Sequence, residues 1–495
     1  IQARPQRVVS LVPSITEMIF RIGAGDSVKG ITYHSTYPPE VNLKQIVGGF
    51  LSPSLKAIEK IGPDVIFVCK LHRDLIRNFS DKKCQLIDLE TDSLADSYRN
   101  ILALGKIFHR EIRAREIVRQ IKNELDLVRK KVRTIPLEQR RRVIRLMGRD
   151  TVMTPGDDSF QNEMIRAAGG IPPRLGKKGP VVVITKEEWL KFNPQVIYGC
   201  GGDRALTRKL LTKPGWKDVD AVRKGRIFFF PCELTCRAST RVGFFVQWLS
   251  ANIYRDLFAD KRHHVLDEKI FMTRPLHLPI RYVNKAEIAY SHIHDFVNKT
   301  LIIDFKKPMQ IVSTLEGQRG GIVSVGNHFF PPPCWVIQHD KGLRDIMARI
   351  YSVIRKEKKN SSFLLTGVDM DNLAIVHQRY RDMEVYALVT AGVKSNAVRM
   401  SADTGRYYEP GTINIIILPN MELTPRAMTR AIISATEAKT AALADLDIRT
   451  HENPLTNQAT GTGTDNMIVV QGLSLIHISE PTRPLYISYA VFCLK

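Results

Sequence analysis

RVVSLVPSITEMIFRIGAG, Arg7 to Gly25, is an apolar run (Val8 to Val12), a Pro13 turn and a helical stretch (Ile15 to Ile22) in immediate succession. The pattern repeats outward. Val28 to Ile31, Val65 to Val68 and Gln85 to Asp88 are further short apolar runs, separated by helical stretches such as Ser54 to Ile61. That alternation predicts a parallel sheet with crossover helices. A second set begins after Arg140, with Val143 to Met147, Val181 to Ile184, Val196 to Tyr198 and Arg226 to Phe230 interleaved with Phe160 to Ala168 and Thr207 to Leu211. Between the sets runs Ser93 to Arg133, charged, amphipathic, free of proline and holding one glycine, Gly105. A single rigid helix joining two α/β lobes is expected.

After Phe258 the pattern loosens, and residues 263–298 read as a linker. Strands are then expected at Leu301 to Phe305, Gln310 to Thr314, Gly321 to Val325, Ser362 to Leu365, Leu373 to His377, Val385 to Thr390 and Thr412 to Leu418. Leu343 to Lys356 and Pro425 to Asp445 read as helices, the second with Thr424 as N-cap and Pro425 in its first turn. This is an α/β domain with a largely β core. It ends on two unusual stretches, ATEAKTAAL at Ala435 to Leu443 and ATGTGTD at Ala459 to Asp465.

The chain has 495 residues, 44% hydrophobic and 25% charged, which is ordinary globular composition spread over more than one core. Its net charge of +23 raises the question of nucleic acid or an anionic membrane. The positives are dispersed, and the densest group, His109 to Arg149, is diluted by Glu111, Glu116, Glu124 and Asp126, as on a solvated helix face. No nucleic-acid partner is expected. Seven scattered cysteines do not make a disulfide scaffold, so a reducing compartment is the simpler expectation, and Cys232 and Cys236 lack a second pair at zinc-site spacing. No metal site and no required cofactor are expected. No apolar run approaches the roughly 20 residues of a membrane span. Ile1 stands just before the first strand, which suggests truncation or processing. Residues 473–495, including LSLIHISEPTRP, match the conceptual translation of a transposase-type sequencing adapter and its flow-cell sequence, and are set aside; a genuine terminal strand is the alternative.

The first half resembles the helix-bridged class of periplasmic binding proteins, and most closely its cobalamin-binding members, over about Arg7 to Ala259. The motifs are PSITE at Pro13 to Glu17, YPPE at Tyr37 to Glu40, LSPSLKAIEKIGPDVI at Leu51 to Ile66, TPGDDSFQNEMIRAAGG at Thr154 to Gly170, WKDVDAVRKGRI at Trp216 to Ile227 and CRASTR at Cys236 to Arg241. The resemblance implies a ligand lying flat between the lobes, touched by His34, Phe50, Met153, Trp216 and Glu233. His34 would ligate the cobalt of a corrinoid lacking its own lower base, or else be a satisfied loop histidine. Trp216 and Phe50 have interlobe packing as their alternative. Where transporter-docking relatives carry a carboxylate at the first lobe's apex this chain has Lys56, which puts docking on an importer permease in doubt.

The second half is similar to the adenosylcobinamide amidohydrolase family over about Thr300 to Gly472. The match rests on RGGIVSVGNHF at Arg319 to Phe329, TAGVKSNAVRM at Thr390 to Met400, GTINIIIL at Gly411 to Leu418, and the two stretches 435–443 and 459–465. It implies hydrolysis of the amide joining the aminopropanol arm to the corrin ring, giving adenosylcobyric acid for corrinoid salvage. The corrinoid is then substrate. Such a reaction needs a nucleophile or activated water, a base and oxyanion donors. Candidate catalytic residues are His328, with a structural histidine as its alternative, Asn396, with a turn former as its alternative, Glu437, Asp465 and Thr390; candidate ligand contacts are Asn327, Thr460, Thr462 and Thr464, unless the glycines of 459–465 simply let a loop enter the final strand. Glu437 and Lys439 lie two apart on a helix, about 200 degrees around it, so at most one faces a site, and Glu437 is preferred.

The expected organisation is a binding domain at 1–262 (lobes 1–92 and 140–262, bridging helix 93–133), a linker at 263–298 and an amidohydrolase domain at 299–472. Because adenosylated corrinoids are cytoplasmic products in the resembled family, a cytoplasmic enzyme is expected, with an extracytoplasmic importer component whose second domain is idle as the alternative.

Overall fold

The computed structural model describes residues 4–79, 84–148, 151–338, 343–393, 396–400, 402–403, 411–473 and 477–478. The chain divides into two units, Ile1–Tyr254 and Arg255–Lys495.

In the first unit the expected strands form, except that Val182–Val183 leaves the parallel sheet and pairs antiparallel with Met153–Thr154. Five run parallel in the order Gln45–Ile46, Val28–Ile31, Val8–Ser10, Val65–Val68, Gln85–Asp88. Three more, Ile227–Phe230, Val196–Cys200 and Val143–Arg145, make the parallel sheet of the second lobe. The bridge departs from expectation: it is two helices, Leu94–Ile107 and Glu111–Val132. Ser93 and Asp96 cap the first reciprocally. His109 ends it in the left-handed region (φ 53°), with Arg110 N–H donating to the Gly105 carbonyl at 2.7 Å and His109 N–H to that of Lys106 at 3.4 Å. This is the double closure of a Schellman stop. Glycine usually signals it; a histidine fills the position here, so the break carries no glycine marker. Gly105 has a packing role instead, since a Cβ there would lie 2.6 Å from that of Ala114.

One buried carboxylate fastens the two ends of this unit. Glu17, fully buried in the Pro13–Arg21 helix, accepts from the Ser239 hydroxyl at 2.8 Å, the Thr240 hydroxyl at 2.6 Å and Arg241 Nη2 at 2.9 Å. The Arg241 guanidinium in turn lies 3.6 Å from the centre of the Tyr37 ring. The PSITE, YPPE and CRASTR motifs therefore meet in one clasp.

Cys200 ends one strand of the second lobe, and Cys232 opens a short helix just after the adjacent strand Ile227–Phe230; their Cα atoms lie 4.7 Å apart and they are joined by a disulfide. Thirty-two residues apart in sequence, they are neighbours through the sheet. The expectation of uniformly reduced cysteines does not anticipate this pair.

The second unit is built on a nine-stranded sheet in the order Ile270–Pro275, Val283–Ile293, Phe296–Ser313, Asn466–Val470, Ile413–Pro419, Met383–Ala391, Ala374–Tyr380; Gly317–Phe329 branches off Phe296–Ser313 and pairs in parallel with Ser361–Thr366. The first two strands correct the linker expected at 263–298. Ile270–Pro275 is an exposed edge strand ending on Pro275, where proline is tolerated, so its burial period is missing. Ile413–Pro419 is buried throughout. Ile413, Ile415 and Ile417 pack on Ala427, Ala431, Ala435 and Ala438 of the Pro425–Asp445 helix, while Ile416 and Leu418 join the core on the other face. Of residues 473–495, His477–Ile478 pair with Glu422–Leu423, and 474–476 and 479–495 lie outside the described residues.

Asn327 and His328 lie within the Gly317–Phe329 strand rather than after it. His328 is fully enclosed: Nδ1 is 2.7 Å from the Thr300 hydroxyl and Nε2 is 3.2 Å from Asn298 Oδ1. Burial pushes its pKa down to about 3. A neutral ring hydrogen-bonded at both nitrogens is a fold element, which favours the structural histidine over the general acid or base.

Glu17→Ala strands Arg241 without its carboxylate and should lower the unfolding free energy of the first unit by about 3–5 kcal/mol, read from the urea midpoint. For His328, the unfolded ring takes a proton near 6.5 while the folded ring stays neutral down to about 3, so the unfolded state binds more protons between those values. Its contribution is intact above 6.5 and is lost as pH falls toward about 3. The urea midpoint of His328→Gln should therefore fall less steeply with acidification than that of the parent chain.

Candidate functional site

Three consecutive residues at the start of the Ile413–Pro419 strand organise the second unit's polar cluster. Side chains alternate across a strand, so Thr412 and Asn414 face one side while the intervening position faces the helix. On the first side, Asn414 Nδ2 donates to Asn327 Oδ1 at 2.9 Å and to the Leu365 carbonyl at 2.8 Å, and Asn327 Nδ2 donates to the Thr390 hydroxyl at 2.9 Å. Asn327, Thr390 and Asn414 are all buried, and Asn414 Oδ1 has no donor among the described residues. The Thr412 hydroxyl donates to the Thr464 carbonyl at 2.7 Å and accepts from the Thr464 hydroxyl at 3.1 Å.

On the helix side stands Asp465. It accepts the Thr462 hydroxyl at 2.5 Å, the Thr462 N–H at 3.3 Å and the Ile413 N–H at 3.1 Å, and is ion-paired with Lys439. Both charged side chains are nearly buried, 11% and 12% exposed, so the pair is screened little by water. Gly461 makes the approach possible: a Cβ there would sit 2.3 Å from Asp465 Oδ2 and 2.9 Å from Lys439 Nζ. Asn396 joins by donating from Nδ2 to the Gly411 carbonyl, where a Cβ on Gly411 would meet that Nδ2 at 2.8 Å. Thr460 accepts the Met400 N–H on its hydroxyl at 3.1 Å, and Val398 bridges to Gly461, which ties 396–400 to the glycine-rich loop.

Asn327, Thr390, Asn396, Thr460, Thr462, Thr464 and Asp465 are thus brought to one end of the sheet. Glu437 is not: it is exposed on the Pro425–Asp445 helix, and Lys439 is the member of the pair that turns inward. Helical spacing shows that two residues diverge without showing which one the sheet lies under. Thr412 and Asn414 were passed over as strand residues, although an amide within INIIIL is a polar group that burial obliges to find partners.

In the first unit, His34 is exposed and stacks on Tyr33 with centroids 4.3 Å apart. Its Nδ1 accepts the Phe50 N–H at 3.0 Å, so in a neutral ring the proton sits on Nε2. Ligation of a metal through Nε2 would move that proton onto the nitrogen already facing an N–H. The satisfied loop histidine is the better account. Burial, with Arg237 second, holds its pKa below the usual imidazole value. Phe50 is half-buried and meets His34 and His72 edge-on, with centroids 6.4 and 5.4 Å away. His72 Nδ1 accepts the Cys69 N–H at 3.0 Å and its Nε2 is 2.7 Å from the Phe50 carbonyl, which fixes this turn. Arg237 donates to the His34 carbonyl from the opposite side of the unit. Glu233 and Met153 are half-buried, while Trp216 packs against Trp189 in the second lobe's core, with ring centroids 5.5 Å apart. Trp216 is thereby a core residue.

Comparison with known proteins identifies both units. The periplasmic binding protein family matches residues 8–234, and the adenosylcobinamide amidohydrolase family matches residues 280–476. An uncharacterised protein of Methanocaldococcus jannaschii is 40% identical over 192 residues, 35% of this chain and 74% of that protein. An uncharacterised ABC transporter substrate-binding lipoprotein of Bacillus subtilis is 27% identical over 52% of this chain and 83% of its own length. A vitamin B12-binding protein of Pectobacterium atrosepticum is 25% identical over 43% of this chain and 78% of its own. The chain belongs to the adenosylcobinamide amidohydrolase family through its second unit and carries a periplasmic binding protein domain in its first.

Proposed function

We propose that the second unit hydrolyses the aminopropanol amide of adenosylcobinamide to adenosylcobyric acid and that the first unit binds a corrinoid. The family match supports the reaction class, and the vitamin B12-binding relatives support the ligand of the first unit. The observation that carries the reading is the Thr462 hydroxyl held 2.5 Å from Asp465, with Lys439 on the same carboxylate. A hydroxyl donating to a carboxylate is the pairing of nucleophile and base. The ammonium of Lys439 supplies positive charge beside the carbonyl oxygen that becomes anionic. Over the whole reaction water adds across the C–N bond, its hydroxyl to the corrin side-chain carbonyl and its proton to the departing aminopropanol nitrogen. Tethering a binding unit to the hydrolase raises the local substrate concentration.

The disulfide favours a specific compartment. A Cys200–Cys232 bond forms and persists in oxidising surroundings, which supports an extracytoplasmic placement over the cytoplasmic one. Lys56 is exposed on the Leu55–Ile61 helix, as a solvated residue would be, and supplies no carboxylate for a permease. No described helix is long and apolar enough to cross a membrane.

Mass spectrometry of products should show adenosylcobyric acid from the full chain. Asp465→Asn, Lys439→Met and Thr462→Val should each lose at least ~100-fold in turnover, the scale of a single positioned catalytic group, whereas Thr462→Ser and Glu437→Gln should stay within a few-fold. Retention of full rate by Asp465→Asn would remove the site. Gly461→Ala should fall with Asp465→Asn, because the added methyl displaces the ion pair. For the compartment, protein isolated from its native cell without reductant should have Cys200 and Cys232 blocked to alkylation; free thiols at both positions would place it in reducing surroundings.

A further inference from the structure

His264, Glu268 and His294 bring one ligand atom each to within 4.8 Å of one another, at the far end of a hairpin that the amidohydrolase reading does not use. We propose that these three residues hold a divalent late first-row ion of the zinc type, which ties the segment preceding the family-matched residues to the first hairpin of the sheet.

Spacing is the first support. His264 Nε2 and His294 Nδ1 stand 3.4 Å apart, and two nitrogens each about 2.0–2.1 Å from a tetrahedral zinc are separated by roughly 3.3–3.4 Å. Burial is the second: His294 is fully buried, and the side chains of His264 and Glu268 are 9% and 16% exposed. The third is the way the ligands are held. His294 and Asp295 form the Val283–Ile293 to Phe296–Ser313 turn, both in the left-handed region (φ 54° and 67°), as a two-residue hairpin loop requires. Asp295 Oδ1 accepts the Val265 N–H at 2.9 Å and the Leu266 N–H at 2.7 Å, which folds residues 264–268 over the turn. Glu268 Oε1 accepts from Arg349 Nη1 at 2.7 Å and from the His294 N–H at 3.1 Å and lies 3.7 Å from His264 Nδ1, so the carboxylate is fixed in orientation beside both rings. Outer partners of this kind are what positions metal ligands.

Chemistry narrows the ion. Two imidazoles and a carboxylate suit zinc, cobalt(II) or nickel(II) and leave a position for water. Cys334, whose Sγ is 3.6 Å from the Ile293 carbonyl, is the nearest soft alternative; burial pushes its thiol up, against the thiolate a metal needs. His264 and Glu268 precede residue 280, where the family match begins, so the site is an addition to the family domain rather than part of its reaction centre. It stands independently of the proposed hydrolysis.

The test uses the full chain, stripped with a chelator and titrated with zinc chloride against a chromophoric competitor. One tightly held equivalent is expected. His264→Ala should weaken it at least ~100-fold and Glu268→Gln at least ~10-fold, with far-UV circular dichroism unchanged. Cobalt(II) in place of zinc should give d–d bands of a four- or five-coordinate ion without a thiolate charge-transfer band. No uptake by the parent chain, equal uptake by folded His264→Ala, or a thiolate band would each overturn the proposal, the first leaving a plain imidazole–imidazole contact beside a Glu268–Arg349 ion pair.

Discussion

Burial of one strand on both of its faces governs the second unit. Ile413–Pro419 has no side open to water, so alternate residues must satisfy two cores, and the polar side chains at its start, Thr412 and Asn414, share the face away from the helix. Thr412 and Asn414 are carried toward Thr464, Asn327 and Thr390, while the Ile413 N–H reaches Asp465. Displacing this strand by one residue would exchange the two sets and bury isoleucine where amides now pair. The chemistry of the site is therefore fixed by packing that lies almost entirely outside it.

The close approach of the helix follows from the same constraint. Ala427, Ala431, Ala435 and Ala438 let Pro425–Asp445 lie near the sheet, and only at that distance does Lys439 reach a carboxylate on the loop before Asn466–Val470. An ion pair this enclosed is costly to form without further hydrogen bonds. Asp465 has them, from the Thr462 hydroxyl and the Ile413 N–H. The alanines of ATEAKTAAL and the glycines of ATGTGTD are thus two halves of one steric solution.

Much of this was legible in the sequence, and the failures have physical causes. Period and punctuation placed the parallel strands of the first unit, the Thr424-capped helix and the loop residues Thr460 to Asp465, because propensity and burial agree there. The bridging break was hidden by a left-handed histidine, His109. The false linker arose from an exposed edge strand whose side chains carry no burial period, Ile270–Pro275. His328 looked suited to proton transfer by residue type, but type says nothing of enclosure. Within the segment read as linker, His264 and Glu268 showed no ligand pattern, since the third member, His294, is 30 residues on and reaches them through a turn.

Glu17 has a consequence for how the first unit meets a ligand. A carboxylate gripped by two hydroxyls and a guanidinium acts as a rivet between the helix Pro13–Arg21 and the segment 239–241. Separating them would expose an uncompensated charge to a dry interior, so wide opening at this point is closed off energetically. A fold pinned in this way spends little ordering entropy on holding the two segments together when anything docks beside them.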